Sequence, residues 1–189
     1  MADQLATASD LASLLQSDLD ASTATLVLEL ATARVQRAAG GQRILDVTDT
    51  AVIDIDPWSN DYYLPLPQLP VRSVALVVLD GVTITDWVLR NQKLWRLNGW
   101  LTTCSQPSQV KVTSSHGLLA GSQGLQLARS MTLSLARMCY PNPTGVLSEA
   151  IDDYKVTYAE ADARMQMTPQ MEQAIADAYG TSAYVTVSC

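Results

Sequence analysis

The spacing of the hydrophobic residues changes twice along this chain, and those changes limit the fold more than any single motif. Between Ser22 and Ala39, Leu28, Ala31, Val35 and Ala38 stand at i, i+3, i+7 and i+10, which lines one face of a helix. Gly40-Gly41 follows and supplies the left-handed backbone on which helices end. From Arg43 the period is two: Ile53 and Ile55 alternate with Asp54 and Asp56, as in a half-buried strand. Helical spacing returns at Ser122. There Leu125, Ala128, Thr132, Leu135 and Cys139 form a stripe flanked by Met131 and Met138, and Pro141 and Pro143 stop it. A strand block between helical segments predicts a small α+β fold.

The remaining segments fit this frame. Leu11, Leu14 and Leu15 share a face of a short first helix, with Thr7 or Ser9 as its N-cap. Pro65, Pro67 and Pro70 forbid a helix, so Tyr62 to Pro67 is read as extended. Val71 to Leu79 is strand-like, and Asp80-Gly81 is a turn signal between apolar runs. Short strands over Val82–Leu89 and Lys93–Leu97 flank the turn Arg90-Asn91-Gln92, and Val110–Thr113 closes the β part. Gln106-Pro107-Ser108 and Ser148–Gln166 are expected to be irregular. Thr168-Pro169 opens a C-terminal helix that runs to Tyr179 and stops at Gly180, and Ala183–Val187 is a β-prone terminal strand. The expected layout is one domain over 1–189: helices at about 9–40 and 122–140, a β region at about 43–115, and a C-terminal arm at about 146–189.

Composition excludes several classes. At 189 residues, with 48% hydrophobic and 16% charged, the chain can build an ordinary core and is not compositionally disordered. A net charge of −7, with lysine only at 93, 111 and 155, is unsuited to gripping nucleic acid, which requires clustered positive charge. Cys104, Cys139 and Cys189 are odd in number and widely spaced, so they form neither a disulfide framework nor a CxxC zinc pair. The start of the sequence lacks the basic and apolar regions of a signal peptide, and no run reaches the ~18 apolar residues of a membrane span. Folding in a reducing cytoplasm is the expectation, with no membrane association.

The enzyme case is thin, and no cofactor is implied. His116 is the single histidine, and Cys104 or a serine would be its obvious nucleophilic partner. Nothing near Cys104 favours a thiolate, no GxSxG elbow exists, and His116-Gly117 reads better as the exit from a strand. Asp46, Asp49, Asp54, Asp56 and Asp61 are acidic oxygens in a stretch free of Lys and Arg. They lack the central glycine and closing glutamate of a calcium loop, so a solvated or channel-facing strand is the better reading. Trp58, Trp87, Trp95 and Trp100, with Tyr62 and Tyr63, would offer stacking platforms. Without basic residues between them, they fit a small β core or a protein interface. Arg129 and Arg137, eight apart on one helix, are open to pairing with a neighbouring subunit or to solvation. No Walker or Rossmann glycine loop is present.

One ordered set of signals points elsewhere. Leu64–Val74 with Asp80-Gly81, then Val110–Gly117, the helix stopped at Pro141-Asn142-Pro143, and Glu149–Ala159 together resemble the head-to-tail adaptor (connector) family of long-tailed phages. The likeness covers roughly Ser9 to Val187 by order of elements. It departs from the family at Ser114 and Ser115, where an aromatic is common, at Asp152, where glycine is usual, and before Ser122, where a Val-Pro is missing. The resemblance implies a small helical bundle with a β-rich projection of short antiparallel strands. It implies a non-enzymatic virion protein, assembled in the host cytoplasm, that forms a ring of twelve copies under the portal at the neck. Its implied partners are further copies of itself, the portal protein, the next neck or tail component (a stopper), and double-stranded DNA passing through unread. Under this reading the five aspartates face the channel, where a negative lining repels phosphate. Tyr179, Tyr184, Val185 and Val187 reach the portal, the terminal strand adding to a sheet edge. A stopper or tail-completion protein, folding mainly as β structure, is the alternative.

Overall fold

Helices begin in this protein where short polar side chains can occupy the free N–H groups of a first turn. The computed structural model describes residues 4–57, 61–103, 106–141, 148–151, 154–157 and 166–179. The first helix, α1 (Ala8–Leu15), starts from a full capping box: Thr7 accepts from the Asp10 N–H, and the Asp10 carboxylate accepts from the Thr7 N–H. Asp20 caps α2 (Ala21–Ala38), Ser122 caps α3 (Gln123–Cys139), and Thr168 caps α4 (Pro169–Tyr179), where Pro169 takes the first helical position. The acidic caps are held well ionised. Hydrogen bonds from Ser22 and Thr23 lower Asp20 to about 2, and those from Thr7, led by its backbone N–H, lower Asp10.

The chain forms two compact units, residues 1–44 with 121–189, and residues 45–120. In the first, α2 packs chiefly on α3, and both touch α1 and α4. The buried side of α2 carries Ala24, Val27, Leu28, Ala31, Thr32 and Val35; that of α3 carries Ala128, Thr132, Leu135, Ala136 and Cys139. Arg129 ties α3 to α1 through Asp10 at 2.6 Å, so this arginine is spent within its own chain. Tyr140 fixes the start of α2, its hydroxyl accepting from the Asp20 N–H at 2.9 Å. α4 seats Ile175 fully in the core, and the Tyr179 hydroxyl donates to the Gly124 carbonyl at 2.6 Å. Between α3 and α4 lies a two-stranded antiparallel hairpin, β8 (Ser148–Ile151) with β9 (Tyr154–Thr157). The expectation of irregular backbone over Ser148–Gln166 is corrected there.

The second unit is built from strands. One antiparallel sheet has the order β1-β7-β3-β4, with β1 Val47–Ile55, β3 Val71–Leu79, β4 Val82–Thr83 and β7 Ser108–His116. A smaller sheet has the order β2-β6-β5, with β2 Tyr63–Pro65, β5 Trp87–Arg90 and β6 Lys93–Arg96. Both contribute to one core: Val77, Leu79, Val110, Val112 and Ile55 from the first, Leu64 and Leu94 from the second, and Trp100 beside them. Two-residue turns at Asp80-Gly81 and Asn91-Gln92 have positive φ at both positions, as tight hairpins with right-handed strand twist require. β3 is not regular. Register shifts between Val71 and Ser73, and between Val74 and Leu76, leave Arg72 and Ala75 unopposed.

The exit of β7 is the tightest point of this unit. Gly117 adopts φ +93°, and a Cβ there would lie 2.3 Å from the Leu45 carbonyl oxygen. Its N–H donates to the Pro70 carbonyl at 3.0 Å. Gly117→Ala should therefore cost about 3 kcal/mol or more in urea unfolding. Gly81→Ala, at φ +85° in open space, should cost only about 1 kcal/mol. In the helical unit, half-burial raises Tyr179 to about 12. The folded state holds the phenol proton more tightly than the unfolded chain, so this contribution is intact below pH 10 and lost as pH rises through 12. The stability-versus-pH curve of Tyr179→Phe should be flatter than that of the wild type over this range, checked by urea midpoints.

Candidate functional site

A strand alternates its side chains between two faces, so the acidic stretch cannot present all its carboxylates to one surface. Val47, Asp49, Ala51, Ile53 and Ile55 of β1 face one way, and Thr48, Thr50, Val52 and Asp54 the other. Asp49 shares its side with His116, whose Nε2 lies 3.0 Å from the Asp49 carboxylate. Asp46 pairs with Arg72 across the sheet end. Asp54 accepts from the Gln109 side chain at 3.1 Å. Asp54, Asp56 and Asp61 border a shallow cleft of about 230 Å³ with Tyr63, Pro65 and Trp100. The structure thus brings three of the five aspartates together and pairs the other two with Arg72 and His116. No group of three or more His, Cys, Asp or Glu arranged to hold a metal exists among the described residues.

His116 is a structural side chain. It is 0% exposed, its Nδ1 has no hydrogen-bond partner among the described residues, and its ring lies on the core side of β7 beside buried Ser114. An imidazole so enclosed is not open to a substrate. Cys104 lies outside the described residues. Asp49→Ala would leave Nε2 without an acceptor in a buried setting, an expected loss of about 1–3 kcal/mol in urea unfolding.

The aromatic residues also have local duties. Trp100 is buried and its indole N–H donates to the Tyr62 carbonyl at 3.1 Å; that of Trp87 donates to the Ile84 carbonyl at 3.0 Å. Arg90 lies over the Trp95 ring, 5.7 Å from its centroid. Trp58 lies outside the described residues. Tyr62 and Tyr63 remain about half exposed. Of the C-terminal group, Tyr179 is anchored on Gly124, while Tyr184, Val185 and Val187 lie outside the described residues.

Two surfaces were not singled out by sequence. The outward face of α2 carries Leu26 and Leu30, 54% and 51% exposed, followed by exposed Ala33, Arg34 and Arg37. Arg34 and Arg37 border a cleft of about 760 Å³ that they share with Gln166, Pro169 and Glu172. The outer face of the four-stranded sheet carries a ladder of hydroxyls, Thr48 to Ser115 at 2.7 Å and Thr50 to Thr113 at 2.8 Å, beside Val52 at 54% exposure. The spacing of Leu26, Leu30, Ala33 and Arg37, at i, i+4, i+7 and i+11, was the available signal for the first surface.

Among known proteins, no family model matches the chain and no curated protein matches it. No helix among the described residues is long and apolar enough to cross a membrane.

Proposed function

We propose that the chain is a structural protein of the phage neck, a head-to-tail adaptor that forms a ring beneath the portal and carries part of the DNA channel. The observation that most supports this reading is the all-β unit, residues 45–120, inserted in sequence between α2 and α3 of an otherwise largely helical unit. That order is the one the family resemblance implies. The alternative, a stopper or tail-completion protein, would be expected to fold mainly as β structure, and the four helices among the described residues argue for the adaptor. The enclosure of His116 speaks against a reaction at this residue.

Within the proposal, subunits contact one another head to tail around the axis, which joins unlike surfaces of identical chains. A net charge of −7 per copy, repeated around the ring, makes the assembly repel the phosphates of moving DNA rather than hold them. Tyr184, Val185 and Val187 engage the portal by strand addition, and Tyr179 anchors the helix that leads to them.

The test is electron microscopy and co-sedimentation of the protein mixed with its portal. The expected result is a ring stacked on the portal, with binding lost when Gly180–Cys189 is deleted, a cut placed beyond α4. Unchanged co-assembly of the truncated chain would refute the C-terminal assignment. Absence of any portal complex would refute the adaptor reading.

A further inference from the structure

The outward face of α2 has no covering element among the described residues, although two leucines on it are more than half exposed. Its charges are also unspent. Glu29, Arg34 and Arg37 are all exposed, and none has an ion-pair partner among the described residues, whereas Arg129, Arg72 and Arg96 do. Leu30, Arg34 and Arg37, at i, i+4 and i+7, share one side of the helix, an apolar group followed by two positive groups, and Glu29 points about 100° away from Leu30.

The outer face of the four-stranded sheet offers the opposite charges to the two arginines. Val52 is 54% exposed; exposed Asp54 follows it on the same side of β1, and exposed Asp56 lies just past the end of the strand. Lys111 stands beside Val52 on the neighbouring strand. Along the chain the order is apolar, negative, negative. The spacings agree. Leu30 to Arg34 is about 6 Å along a helix axis, and Val52 to Asp54 about 7 Å along a strand. Leu30 to Arg37 is about 10 Å and Val52 to Asp56 about 13 Å, a difference within the reach of a long arginine side chain.

We infer that the α2 face of one copy docks against the outer β1–β7 face of a second copy, with Leu30 on Val52, and Arg34 and Arg37 on Asp54 and Asp56. This rests on the ring reading and names the subunit contact within it. The contact is heterologous, so each copy still offers a free β1–β7 face and a free α2 face to further copies. It also assigns Asp54 and Asp56 to the subunit boundary rather than the bore. Exposed leucines and valine supply apolar burial, and the two arginine–aspartate pairs favour one register over a slipped pairing.

Two charge-reversed chains test it: Arg34→Glu with Arg37→Glu, and Asp54→Arg with Asp56→Arg. Self-association is followed by light scattering at high protein concentration, with circular dichroism confirming that each variant is folded. The wild type should associate, more weakly as salt rises, and each variant alone should associate about tenfold more weakly or not at all. A mixture of the two variants should recover association, because each reversed face then meets its reversed complement. That recovery also excludes misfolding as the cause of the loss. If only the α2 variant loses association, the face pairs with another α2 or with a different partner, and the inference is overturned. If neither variant loses it, or the wild type stays monomeric, the inference is likewise overturned. A ring that still forms on the portal in those cases leaves the adaptor reading standing, whereas its absence removes both.

Discussion

Strand β7 is the constraint on which the β unit depends. It is paired along its full length with β1 on one side and from Val110 to His116 with β3 on the other. Its alternation is correspondingly strict, with Ser108, Val110, Val112, Ser114 and His116 all buried. A strand held on both edges cannot slip by one residue without turning that entire set to solvent. This strict register brings Lys111 beside Val52 and His116 within reach of Asp49, and it requires a glycine at the point where the chain leaves the sheet against Leu45.

The helical unit depends in the same way on α2, which contacts each of the other three helices. Small residues on the facing sides, Ala24 and Ala31 on α2 with Ala128 and Ala136 on α3, allow the backbones to approach closely, and Leu28 and Leu135 fill the space between. The polar residues near these contacts are tied locally. Thr132 bonds back to Ala128, and Thr32 accepts from the Leu5 N–H. What remains on the outer side of α2 is a surface with two exposed leucines and exposed charged groups.

The side chains that first suggested a site have local partners in the fold. The lone histidine is enclosed and hydrogen-bonded to Asp49, the described tryptophans are bonded or stacked within the β unit, and the acidic stretch is divided between two strand faces. The groups that stay exposed and unspent, on α2 and on the outer sheet face, are suited to meeting another protein.

The element order was legible in the sequence because it rests on local rules. Leu28, Ala31 and Val35 line a helix wherever it packs, Thr7, Asp20 and Thr168 cap first turns by contacts within three residues, and Asp80-Gly81 makes its turn from its own backbone freedom. The hairpin of β8 and β9 was missed because its strands are only four residues each and Asp152-Asp153 between them lacks the glycine that marks a two-residue hairpin turn most strongly. The facing directions of β3 were beyond the sequence. In β3 the inward residues are Val71, Val74, Val77 and Leu79, a spacing set by two bulges that exist only because β7 lies alongside. The same holds for the five aspartates, which form one acidic run in the chain. Pairing with Arg72 and His116 withdrew two of them, because charge partners are chosen by distance in the folded sheet, where Asp49 and His116 are adjacent although 67 residues separate them.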